Sequence, residues 1–77
     1  MKKDEAILMM KSRCYAYLKK YTNEKNEDKI QMFTTISNLL EKNDSFKTME
    51  TGVAFKILKD LGFDTRQSIE IYRELIK

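Results

Sequence analysis

Residues 56–75 read KILKDLGFDTRQSIEIYREL. Apolar residues recur at helical spacing as far as Leu61, Gly62 interrupts them, and a second periodic segment opens just beyond. Gly62 suits the position after a helix end, where a positive φ is cheap only for glycine. Asp64-Thr65-Arg66-Gln67 has the pattern of a capping box, with Asp64 as cap and the Gln67 side chain reaching back. The stretch therefore predicts helix, turn, helix. Such a unit is either a DNA-reading helix-turn-helix or a pair of helices that closes a small helical domain.

The segment before the glycine reads as a helix from about 49 to 61. Its buried face is expected to be Val53, Ala54, Ile57, Leu58 and Leu61, with Gly52 weakening the first turn. The segment after it reads as a helix over 65–76 with Ile69, Tyr72, Leu75 and Ile76 inward. Toward the N-terminus a helix is expected at about 4–21, with Ile7, Met10, Cys14, Tyr17, Leu18 and Tyr21 on one face. Asp4 would sit in its first turn, and Lys19 and Lys20 would suit its last. A second helix at about 27–42 would bury Met32, Phe33, Ile36, Leu39 and Leu40. The polar runs TNEKNED (22–28) and KNDSFKT (42–48) separate these segments. Asn23 or Asn26 is a candidate cap in the first run, and Ser45 or Thr48 in the second. No alternating strand pattern is present. The expected fold is all-α: one small four-helix domain of helical hairpins spanning 1–77.

The segment LGFDTRQSIEIY (61–72) resembles the Met-Gly-Phe loop and second helix of ubiquitin-associated domains, and also the helical pair of ribbon-helix-helix antitoxins. The first resemblance implies a further helix after the segment, and the second a strand before it. NDSFKTMETG (43–52) has no strand pattern, and no family is assigned.

Composition narrows the chemistry. At 77 residues the chain buries roughly 60–65% of its unfolded surface, so its stability is marginal. It has one cysteine and no histidine, which excludes an intramolecular disulfide and removes the usual zinc ligands. Histidine is also the commonest general base. Cys14, the one strong nucleophile, falls on the apolar face of the first helix and reads as a small core hydrophobe. The two glycines are too far apart to form a phosphate-binding loop, and the acids lack calcium-loop spacing. The expectation is a protein with no catalytic role, no cofactor, no metal and no small-molecule substrate. The apolar run AILMM, interrupted by Lys11, is too short for a signal peptide or a membrane span. A cytoplasmic location away from membranes is expected.

The informative excess lies on the first helix. Leu8 and Tyr15 share a shoulder about 80–100° from Ile7 at 100° per residue, and Met9 points nearly opposite Ile7. With Phe55 on the third helix, these are apolar side chains that a completed core leaves over. Lys11, Arg13 and Lys19 frame the shoulder. Leu8, Met9, Lys11, Tyr15 and Phe55 are thus the candidate interface of a small regulatory or inhibitory protein that binds another protein or a second copy of itself. Adaptors of this size are common among phage and plasmid products. The alternative is a DNA-binding regulator that uses residues 53–76, with Arg66, Arg73 and Lys77 within about 40° of one another on the last helix. Glu70 and Glu74 close to those bases, and bulky Leu58 where the two helices would cross, count against it.

Overall fold

The computed structural model describes residues 1–42 and 44–77. These form five helices: α1 Lys3–Glu24, α2 Glu27–Glu41, α3 Ser45–Thr48, α4 Thr51–Asp60 and α5 Thr65–Leu75. No strand occurs among the described residues, so the all-α class stands. The expected helix count does not: the polar run before α4 contains a single helical turn, α3. Its Phe46 is buried in the core, where the sequence pattern suggested only a loop.

Helix α1 is the spine. Helix α2 returns antiparallel along it, so that Cys14 meets Phe33 and Lys11 meets Glu41. Helix α5 also runs antiparallel to α1, its start near Arg13 and its end near Lys3, and packs on α4 as well. The core is one cluster drawn from every helix: Ala6, Met10 and Cys14 of α1, Phe33, Ile36 and Leu40 of α2, Phe46 of α3, Ala54, Ile57 and Leu58 of α4, and Ile71 and Leu75 of α5. Leu61 and Phe63 of the α4–α5 turn complete it. Each large side chain fully buried there is worth roughly 1.5–3 kcal/mol of transfer free energy.

Several helix ends follow local chemistry, but neither Ser45 nor Thr48 caps α4: both lie within α3, and the N-cap of α4 is Glu50 with no side-chain cap bond. The Asp64 carboxylate accepts from the Gln67 amide N–H at 2.8 Å, and Gln67 Oε1 accepts from the Asp64 N–H at 3.3 Å, which closes the expected capping box. Asn26 caps α2 by accepting from the Lys29 N–H. Helix α4 ends in a Schellman motif: the Phe63 N–H reaches the Leu58 carbonyl and the Gly62 N–H the Lys59 carbonyl, with Gly62 at φ +85°. Helix α1 ends the same way, but its left-handed residue is Lys25, at φ 56°. With a lysine where glycine is usual, α1 runs on to Glu24 rather than to 21. Lys19 and Lys20 therefore lie before its last turn, which holds no base.

Three buried faces differ from the sequence expectation. In α1 the unexpected Ala6 is fully buried with Met10 and Cys14, while Ile7, Tyr17, Leu18 and Tyr21 are half-buried. In α5 the buried stripe is Ser68, Ile71 and Leu75, while Ile69 and Ile76 are 39% and 44% exposed. On a helical wheel Ser68, Ile71, Tyr72 and Leu75 lie within about 100°, with Ile69 and Ile76 to one side. The polar Ser68 disguises that face in the sequence. In α4, Val53 is 46% exposed, about 100° from the middle of the Ala54, Ile57 and Leu58 face and beyond its Ile57 edge.

A Cβ placed on Gly62 would stand 2.6 Å from Tyr17 Oη and 3.1 Å from Arg13 Nη1. Gly62→Ala is therefore expected to cost about 2–4 kcal/mol, combining roughly 1 kcal/mol for the left-handed backbone with about 1–3 for crowding. Urea unfolding of the purified variant measures this, and an unchanged midpoint would refute it.

Candidate functional site

The outer face of α1 is the side turned away from Ala6, Met10 and Cys14. Leu8 is 64% exposed and Tyr15 74%, the two largest exposures among the large apolar side chains described. They stand two turns apart on one ridge, with exposed Ser12 between them. On one flank a groove of about 490 Å³ separates α1 from α2, lined by Lys11, Ser12, Tyr15, Leu18, Ser37 and Glu41. On the other flank is a shallow hollow formed by Leu8, Met9, Ser12, Arg13 and Ala16.

The remaining candidate residues are placed differently. Met9 is half-buried and packs against the core. Phe55 is also half-buried, its ring 4.9 Å from that of Tyr72 and tilted by 41°, which joins α4 to α5. Lys11 is held across the groove by Glu41, Nζ to Oε1 at 3.4 Å. Arg13 does not frame the ridge. Its guanidinium turns to the end of α4, donating to the carbonyls of Gly62 at 2.9 Å and Leu61 at 3.3 Å, and lies over the Phe63 ring at 4.3 Å. The structure thus brings Leu8, Lys11 and Tyr15 onto one surface and draws Met9 and Phe55 inward. Leu18, Ser37 and Glu41 join the groove without a signal in the sequence, because only the register of α2 against α1 sets them there.

Arg66 and Arg73 lie exposed on α5, whereas Lys77, expected on the same helix, lies two residues beyond its end. Arg66 and Lys77 each face an acid of α5. Arg66 Nε lies 4.0 Å from Glu70, and Lys77 Nζ 2.8 Å from Glu74. Arg73 is exposed and has no ion-pair partner among the described residues. A phosphate approaching this face meets carboxylates as well as cations.

Cys14 is buried, and its thiol donates to the Phe33 carbonyl at 3.1 Å. Burial raises its pKa above the ordinary thiol value, so the reactive thiolate is disfavoured. No helix of the described residues is long and apolar enough to cross a membrane. Comparison with family models, with curated proteins and with solved structures finds no match.

The raised thiol pKa fixes a pH dependence. The folded chain holds the Cys14 proton where the unfolded chain loses it. This contribution to stability is complete below the unfolded thiol's pKa and is lost as pH rises through the folded value. Labelling by a disulfide reagent is accordingly expected to be slow in the native protein and to track unfolding as denaturant is added. Rapid labelling of the native chain would refute the burial.

Proposed function

We propose that this protein is a small non-catalytic regulator or inhibitor that works in the cytoplasm by binding another protein chain through the outer face of α1. The observation that carries the reading is the ridge of Leu8 and Tyr15, both largely exposed beside a core that is complete without them. A large apolar side chain left in water forgoes roughly 1.5–3 kcal/mol of burial, and two on one ridge beside a groove make a contact surface. Tyrosine adds a rigid apolar ring with a polar end, a common anchor in interfaces. Lys11 and Lys19 supply the polar rim.

The alternative is DNA binding through α4 and α5, with Arg66, Arg73 and Lys77 on phosphates or base edges. What favours it is the Gly62 turn between two helices and the exposure of Arg66 and Arg73. The pairing of Arg66 with Glu70 and of Lys77 with Glu74 weighs against it.

Leu8→Glu combined with Tyr15→Lys is expected to leave helicity intact and stability within about 0.5 kcal/mol, as for exposed positions away from the core. The same change should abolish capture of the partner when wild type and variant are used as bait in extracts of the native host. Unfolding of the variant would assign both residues to the monomer core and overturn the proposal.

The DNA alternative has its own readout. If α5 neutralises phosphates, Arg66→Ala with Arg73→Ala would reduce the slope of log binding constant against log salt by about 0.9 for each phosphate no longer neutralised. The expected result is that the wild type selects no specific DNA site near physiological salt. Recovery of one competitor-resistant site would reverse the order of the two readings.

A further inference from the structure

We infer that the chain which covers the α1 ridge is a second copy of this protein, packed antiparallel about a two-fold axis that passes between Lys11 and Ser12. The inference rests on the proposed role of α1 as the binding surface and adds the identity and orientation of what binds there.

It comes from the order of side chains along the ridge. Asp4 and Glu5 stand exposed at its N-terminal end, Leu8, Ser12 and Tyr15 occupy the middle, and Lys19 stands exposed toward the C-terminal end with Lys20 on its flank. On a wheel at 100° per residue, Asp4, Glu5, Leu8, Ser12, Tyr15 and Lys19 fall within about 100°. Among the described residues none of Asp4, Glu5, Lys19 and Lys20 has an ion-pair partner. The ridge is therefore an apolar pair with unpaired negative charge at one end and unpaired positive charge at the other.

A ridge of this kind repels a parallel copy of itself and fits an antiparallel one. Leu8 and Tyr15 are equidistant in sequence from the midpoint between Lys11 and Ser12, and so are Asp4 and Lys19. A two-fold rotation about that midpoint sets Leu8 of each copy against Tyr15 of the other. It also brings Lys19 of each copy between Asp4 and Glu5 of the other, since Lys19 lies between those two on the wheel. A two-fold interface must be self-complementary, and here both the apolar and the charged positions satisfy the same axis. Ser12 at the centre and exposed Ala16 beside it are small enough for the helices to approach within about 8–10 Å. Glu41 draws Lys11 toward α2, away from the axis. The contact is one helix wide, at or below the small end of specific interfaces, about 1,200 Å² in total. The dimer is accordingly weak and sensitive to salt.

The test is sedimentation of the full chain from micromolar to millimolar concentration at low and high salt, with helicity checked by circular dichroism. The wild type is expected to be a reversible dimer that weakens as salt is added. Lys19→Glu with Lys20→Glu, and separately Asp4→Lys with Glu5→Lys, give both ends of the ridge one sign. Each is expected to associate about tenfold more weakly or worse, since several exposed pairs worth a few-fold each are reversed at both symmetric ends. The chain carrying all four substitutions regains opposite signs and is expected to regain the dimer. The neutral pair Lys19→Gln with Lys20→Gln, which preserves helix propensity, should weaken association in the same direction. A wild type that stays monomeric at millimolar concentration overturns the inference, as does a dimer indifferent to these reversals. So does a fourfold variant that prefers wild type to itself, the mark of parallel packing. A monomeric wild type that still captures another protein, and fails to do so after Leu8→Glu with Tyr15→Lys, would sink the self-pairing and leave the α1 binding surface standing.

Discussion

The fold turns on how one side chain of α1 holds the end of α4. The last carbonyls of a helix lack partners within it and carry the negative end of its dipole. Arg13 reaches across from α1 and donates to the C-cap carbonyl of Leu61 and to the Gly62 carbonyl in the turn beyond, while its plane covers the Phe63 ring. Tyr17, one turn further on, closes over Gly62, so the turn is roofed by α1 on the side where any other residue would carry a Cβ. Both hydrogen bonds come from Nη1, and the planar guanidinium suits this position because it also lays a flat face over the ring, which an ammonium does not. The start of α5 follows directly from this anchored turn.

Around that anchor, α1 divides its circumference between two tasks. Its inner face supplies Ala6, Met10 and Cys14, and beside them Tyr17 and Tyr21 stack nearly parallel on Phe33 of α2, with ring centroids 5.0 and 5.7 Å away. Its outer face keeps Leu8 and Tyr15 in solvent. A chain of 77 residues has too little interior to stabilise itself by a wide margin. Binding through the outer face would add to that stability by mass action, because only the folded chain presents the ridge. The surface pairs Lys3–Asp44 and Lys56–Asp60 contribute little by comparison, being solvent-screened.

Much of this was legible in the chain before any tertiary structure. The Gly62 stop and the Asp64–Gln67 capping box follow from local rules in which a few neighbouring residues satisfy one another's backbone groups. The cap of α2 narrows to Asn23 or Asn26, and its apolar face follows from helical spacing. The Leu8–Tyr15 ridge was legible for a related reason: helical geometry alone separates it from a face already filled by Ile7, Met10 and Cys14. The misplaced features were those where local and tertiary preferences disagree. Lys25 adopts a left-handed conformation that its residue type disfavours, and Phe46 sits in a polar run. Ser68 is buried, and its hydroxyl has no hydrogen-bond partner among the described residues.

Local spacing and capping make the chain helical, mark the stop of α4 and the start of α5, and show which residues on α1 are surplus to one apolar face. These depend on interactions within a turn or two of the backbone. Only the tertiary structure decided which of the surplus residues stay outside. Phe55 is covered because Tyr72 of α5 arrives beside it, and Met9 because it packs against the core. Arg13, which the sequence offers as one more surface cation, becomes the cap of a distant helix because the end of α4 is brought within its reach. Interactions between residues so far apart in the chain depend on how helices are placed, and no local pattern records that placement.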